Sequence, residues 1–219
     1  MHSPNLQTPT REIDHRTLKL VVGLIALTLP GLTNLFASTP LSSISASYYE
    51  QGWSQSIFIG FLFAIASFLL AYNGTTRLEM FLSKIACAAA LGVALFPCGC
   101  GHQSSVAWIH YSSAAIMFVV LAFFCYAFYR RAIAKGHLQA RVRGAIYAVC
   151  GIGILAAIAA MGYDALLGTL SRLIPQFTFY GEATGLIAFG ISWLTASRVV
   201  PVITAERERF SPFAAENPK

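Results

Sequence analysis

"VAWIHYSSAAIMFVVLAFFCYAFY", residues 106–129, runs without an Asp, Glu, Lys or Arg and then meets Arg130 and Arg131. About 20 apolar residues in a helix cross the ~30 Å hydrocarbon core of a bilayer. The stretch therefore predicts a transmembrane helix with a basic end. Working outward, residues 18–37, 56–72, 80–97 and 144–161 have the same character. Residues 177–200 form a sixth run, with one acid, Glu182, near its start. Composition agrees: of 219 residues, 56% are hydrophobic and 11% charged, with mean hydropathy +0.63. A soluble domain carries about 25% charged residues. The expected fold is all-α, a polytopic membrane protein built as a six-transmembrane-helix bundle. Residues 1–17 would be an N-terminal tail, 18–200 the membrane domain and 201–219 a C-terminal tail.

Basic residues set the expected orientation. The N-tail, the 73–79 turn, the 130–143 loop and the C-tail, with the adjoining helix ends, hold fourteen of the fifteen Lys and Arg residues. Loops 38–55, 98–105 and 162–176 hold only Arg172. The positive-inside rule then places both termini in the cytoplasm and the chain in the cell membrane. The net charge of +6 reads as topology and not as a nucleic-acid footprint. Arg130, Arg131, Lys135, Arg141 and Arg143 form a cluster that reads as a topology anchor, with contact to anionic headgroups as the alternative. The polar start has no short apolar core or cleavage site, so no removable signal peptide is expected. The N-tail and the stretch after Thr204 read as loose or surface-lying. Small-residue stripes (Ala86, Ala90, Ala94; Ser56, Gly60, Ala64, Ser67, Ala71; Gly181, Gly185) predict close helix packing in lipid.

The remaining polar groups gather on the side opposite the basic loops. Ser43, Ser45, Tyr48 and Tyr49 lie in loop 38–55, His102 in the next loop and Asp164 at the end of the fifth span. His110 falls ~7 Å inside the fourth span at 1.5 Å per residue. Glu182 falls in the first turns of the sixth. Ionisable groups at such depth are costly without partners and mark candidate sites. His110 and Glu182 are expected to meet beneath loop 38–55, His110 as a base or donor and Glu182 orienting it. A purely structural pairing is the alternative. Ser43, Ser45, Tyr48, Tyr49, Ser113 and Asp164 are candidate substrate-binding residues. In "CGCGH", residues 98–102, the cysteines are spaced by one residue, whereas structural zinc sites use four ligands and wider spacings. No metal and no cofactor is expected there. The segment reads as a Gly-flanked turn with few fixed neighbours, carrying two incidental cysteines. Cys87, Cys125 and Cys150 read as apolar packers.

Three segments carry a resemblance. "SSISASYYEQGWSQSIFIGFLFAIASFLLAY", "IHYSSAAIMF" and "YGEATGLIAFGISWLTASR" resemble, in order and spacing, the signature segments of the Frag/DRAM/Sfk family of six-span proteins. Ile44, Ser45, Phe58, Gly60, His110, Ala114, Phe118 and Glu182 fall on the signature positions. Ala46 stands where the family has an acid, and Ala183 where it has Trp. The resemblance implies roles around membrane lipids: remodelling of lipid anchors, autophagy and phosphoinositide signalling. It implies no common catalytic reaction. The reading that follows is a protein binding or remodelling a lipid headgroup in an outward-facing polar pocket. Its partners would be membrane lipids, not nucleic acid, with a second copy or another membrane protein also possible. A non-catalytic scaffold and a channel or proton-coupled carrier are the alternatives.

Overall fold

The computed structural model describes residues 14–210. The expected N-tail falls almost entirely outside the described residues. Six long helices and one short one follow: α1 His15–Leu35, α2 Trp53–Ala71, α3 Arg77–Leu95, α4 Ala107–Ile133, α5 Leu138–Leu167, α6 Leu170–Leu173 and α7 Phe177–Ser197. Local sequence explains their starts. The Asp14 carboxylate accepts the Arg16 N–H at 2.9 Å. Thr76 accepts the Glu79 N–H at 3.1 Å, and the Glu79 carboxylate turns back to the Thr75 N–H at 3.2 Å. Each cap satisfies donors that have no partner inside the helix. Gly168, at φ 60°, ends α5 in the left-handed conformation that glycine adopts without a Cβ clash. With 30 residues, α5 is about 45 Å long, so its charged first turns project past the hydrocarbon.

The architecture is an all-α membrane bundle, as expected. Five helices, α1 to α5, are long and apolar enough to cross a membrane. The 21-residue α7 falls short of that measure, because it carries Glu182, Gly and Thr positions. It is nonetheless part of the bundle. Each long helix packs on its neighbours in sequence, and α7 closes the ring by packing on α1. Trp193, Tyr72, Phe124 and Phe128 pack together inside, mostly edge-on or tilted, with centroids 5.1–6.4 Å apart.

The α1–α7 closure depends on two glycines that the sequence stripes did not include. A Cβ on Gly190 would lie 2.9 Å from the Gly23 carbonyl oxygen, and one on Gly23 would lie 2.9 Å from the Leu194 nitrogen. Among the predicted stripes, Ala86, Ala90 and Ala94 are buried. Gly181 and Gly185 make room for Met161 and Phe118. The α2 stripe is corrected: Ser56, Gly60 and Ser67 are exposed, and Gly60 has nothing near its missing Cβ. Phe58, Leu62, Ile65 and Leu69 face the core instead. Bulk apolar contact outweighed small-residue packing on that helix.

The bundle has a loop end, holding the segments between α1 and α2, α3 and α4, and α5 and α7. Its other end is basic and holds the described termini. There the segment after Thr204 is not loose as far as residue 210. Glu208 pairs with Lys135 and Arg143, and the Phe210 N–H donates to the Arg198 carbonyl at 3.2 Å.

Candidate functional site

At the loop end, the segment between α1 and α2 is pinned to the start of α7. Ser43 begins the 3₁₀ turn Ile44–Tyr49, its hydroxyl accepting the Ala46 N–H at 3.0 Å. The first N–H groups of such a turn have no internal partner. Glu182 supplies one: its Oε2 accepts Ile44 N–H at 2.5 Å and Ser45 N–H at 3.2 Å. The Ser45 hydroxyl donates to Glu182 Oε1 at 2.7 Å and lies 3.0 Å from His110 Nε2. His110 is 1% exposed, and its Nδ1 donates to the Phe96 carbonyl at 2.8 Å. The expected His110–Glu182 meeting is therefore present, with the Ser45 hydroxyl as the bridge.

Hydrogen-bond counting fixes the charge of this cluster. The Phe96 carbonyl only accepts, so Nδ1 carries a proton. Ser45 has one hydroxyl proton for two contacts, to Glu182 and to His110. With an ionised carboxylate and a neutral imidazole, both contacts compete for that proton and one fails. One further proton satisfies both, either on the carboxyl or on Nε2. In both forms the cluster is neutral overall, which is what a site removed from water favours.

The other candidates divide. The Tyr49 hydroxyl donates to the Cys98 carbonyl at 2.6 Å, and its ring stacks on His102 at 3.9 Å. The Tyr48 hydroxyl reaches the Leu95 carbonyl at 3.4 Å. Ser113 is wedged against Gly92, where a Cβ would come within 2.2 Å of its oxygen, so it serves the α3–α4 contact. Asp164 accepts the N–H groups of Leu170 at 2.7 Å and Ser171 at 3.0 Å, capping α6.

The expected turn is present at Cys100 and Gly101, but the expectation that residues 98–102 have few fixed neighbours is overturned. Cys98 is fully buried and disulfide-bonded to Cys100, and its sulfur lies 3.4 Å from the Ser45 carbonyl oxygen. The Tyr111 hydroxyl accepts the Gly99 N–H at 3.0 Å. Gly101, at φ 83°, carries the turn, and Cys98 and Cys100 lie against Ser45 and Ser43, so this segment roofs the start of the 3₁₀ turn. Among the described residues, no group of three or more His, Cys, Asp or Glu is placed to share a metal ion.

Beside the cluster, a cavity of about 480 Å³ opens between α4, α5 and α7. Ala114, Phe118, Ile158 and Met161 form its apolar walls, and Glu182, Asp164 and Thr178 contribute polar atoms. Its size and makeup are those of small-molecule sites, apolar with a few placed polar groups. It is less polar than the pocket expected from sequence. A second space of about 20 Å³ lies between Ser45, Glu182 and the core, room for about one water. The cavity walls and the Phe96 carbonyl were not legible in sequence; one depends on helix packing and the other is backbone. No family model, curated protein or solved structure matches this chain.

Proposed function

We propose that this integral membrane protein binds a membrane lipid at its loop end, with an acyl chain in the cavity between α4, α5 and α7 and the polar portion at Glu182. The observation that carries this reading is that Glu182 lines the apolar cavity and also belongs to the buried Ser45–His110 chain. A ligand polar group that bonds Glu182 would be felt by Ser45, His110 and the loop they hold. The basic asymmetry supports an outward-facing loop end and six spans, and the resemblance to the Frag/DRAM/Sfk family supports a lipid. His110 and Glu182 are then ligand-positioning groups; nothing in the geometry calls for turnover.

A second reading, a non-catalytic scaffold, is favoured by one specific feature. Both Glu182 oxygens are already engaged by loop donors, as a structural lock would require. Lipid analysis by mass spectrometry of the purified protein decides between them. Wild type is expected to retain a bound lipid. Gly162→Leu, placed where the cavity wall is open and no atom lies near the missing Cβ, is expected to lose it while staying folded. Lipid-free wild type of undiminished thermal stability would establish the scaffold instead.

A further inference from the structure

The basic end holds a second site. Lys19 of α1, Arg131 of α4, Lys135 just beyond it, Arg143 of α5 and Arg198 at the end of α7 converge on one cavity of about 90 Å³, with Tyr147 in its wall. Four helices and the α4–α5 connection thus bring five cations to a space small enough for an oxyanion and too small for a polymer. Like charges this close repel unless something negative offsets them.

Only two described carboxylates reach these cations. Glu79 accepts Arg131 at 2.5 Å. Glu208 pairs with Lys135 and with Arg143 at 2.7 Å, and Arg198 lies 3.6 Å away. Three positive charges remain in excess. Arg143 is buried and fixed, its other nitrogen donating to the Ile203 carbonyl at 2.7 Å. Lys19 forms no ion pair with a described carboxylate; its ammonium lies 5.4 Å from the ring centres of Tyr72 and Phe128. The field is already strong enough to capture a carboxylate from the far end of the chain. Burial opposes ionisation of Glu208, yet hydrogen bonds from Lys135 and Arg143 and the charge of Arg198 hold its carboxyl down at about 2.

We propose that this cavity is a binding site for a phosphate-bearing anion, held by Lys19, Arg131, Lys135, Arg143 and Arg198 beside Glu208. A phosphate monoester matches the excess charge better than a single carboxylate does, and guanidinium groups bind its oxygens in paired contacts. The positive-inside rule assigns this end to the cytoplasm, where anionic headgroups and free phosphate are both present. The sequence cluster at residues 130–143 is thereby divided. Arg131, Lys135 and Arg143 serve the site, whereas Arg130 turns outward to the Tyr126 hydroxyl at 2.9 Å and Arg141 is exposed.

The test uses the full chain in nanodiscs and reads the thermal midpoint at constant ionic strength. One arm titrates inorganic phosphate against chloride in phosphatidylcholine discs. The other compares phosphatidylcholine discs with discs that also contain phosphatidylinositol 4-phosphate. At least one arm is expected to raise the midpoint: the first names free phosphate as the source, the second alone names a lipid headgroup. Lys19→Gln is expected to weaken the response about tenfold, the scale of one lost charge-assisted contact. Arg141→Gln is expected to leave it unchanged. If Lys19→Gln does not fold, Arg198→Gln carries the same expectation. No response in either arm, or an equal loss in Arg141→Gln and the pocket variant, overturns the site.

Discussion

Glu182 is where one side chain decides most. Its oxygens complete the start of the 3₁₀ turn and, through Ser45, complete His110. Glutamine can reproduce the protonated form of this network. Its carbonyl would accept the two N–H groups, and its amide would donate to Ser45, which then donates to a neutral His110. Alanine would leave the Ile44 and Ser45 N–H groups without an acceptor, each at roughly 1–3 kcal/mol when buried, while the Ser45 hydroxyl could still donate to His110 Nε2. Glu182→Gln is therefore expected to melt close to wild type in detergent, and Glu182→Ala well below it. Equal destabilisation by the two would place the extra proton on His110 Nε2, beside a carboxylate anion that glutamine cannot replace. Cys98 teaches a related lesson. The sequence marks it as a loop residue, and its burial against Ser45 makes the double Cys98, Cys100 replacement a perturbation of the site roof, no longer the silent change that a free turn would allow.

The α1–α7 pair is the most consequential contact between elements, since it turns a row of helices into a closed ring. Two glycine backbones meet there, and neither side can yield by rotating a side chain. A methyl at Gly190 would meet the Gly23 carbonyl oxygen at 2.9 Å and Leu27 Cγ at 2.7 Å. Gly190→Ala is expected to cost about 1–3 kcal/mol, as overpacking does. Gly60→Ala on the exposed side of α2 meets nothing and removes a poor helix former, so it is expected to be neutral or to gain up to about 1 kcal/mol. Thermal unfolding of the pair checks this, and similar midpoints would remove the close approach as a determinant of closure. Packing on two sides explains α7's modest hydropathy: Gly190 meets α1, while Gly185 meets Phe118 and Ser192 meets Cys125 on α4. Gly185, Gly190, Ser192 and Thr195 are buried against protein, where lipid does not select for bulk apolar side chains.

For the whole molecule, the charges at the two ends differ so much that orientation becomes a measurable consequence. Gln51 on the loop end and Gln139 on the basic end are both exposed. Replacing Gln51→Cys is expected to permit labelling of intact cells by an impermeant maleimide. Replacing Gln139→Cys is expected to permit it only after permeabilisation. Labelling in the reverse order would invert the topology and place the cavity beside Glu182 on the cytoplasmic side.

The sequence by itself determined the membrane-helical class and the approximate place of each long helix, because a hydrocarbon core imposes a length and composition that any single run must meet alone. It also pointed to His110 and Glu182, since an ionisable group at depth stands out against apolar neighbours. Tertiary structure alone decided that Ser45, of the several hydroxyls in loop 38–55, is the one that joins them, that Ser113 and Asp164 serve packing and capping, and that five cations share one cavity. Those outcomes depend on which residues of distant helices come face to face. A period of 3.6 shows which positions share a face, but not what that face meets. Ring closure through Gly23 and Gly190 is what brings α1 against α7.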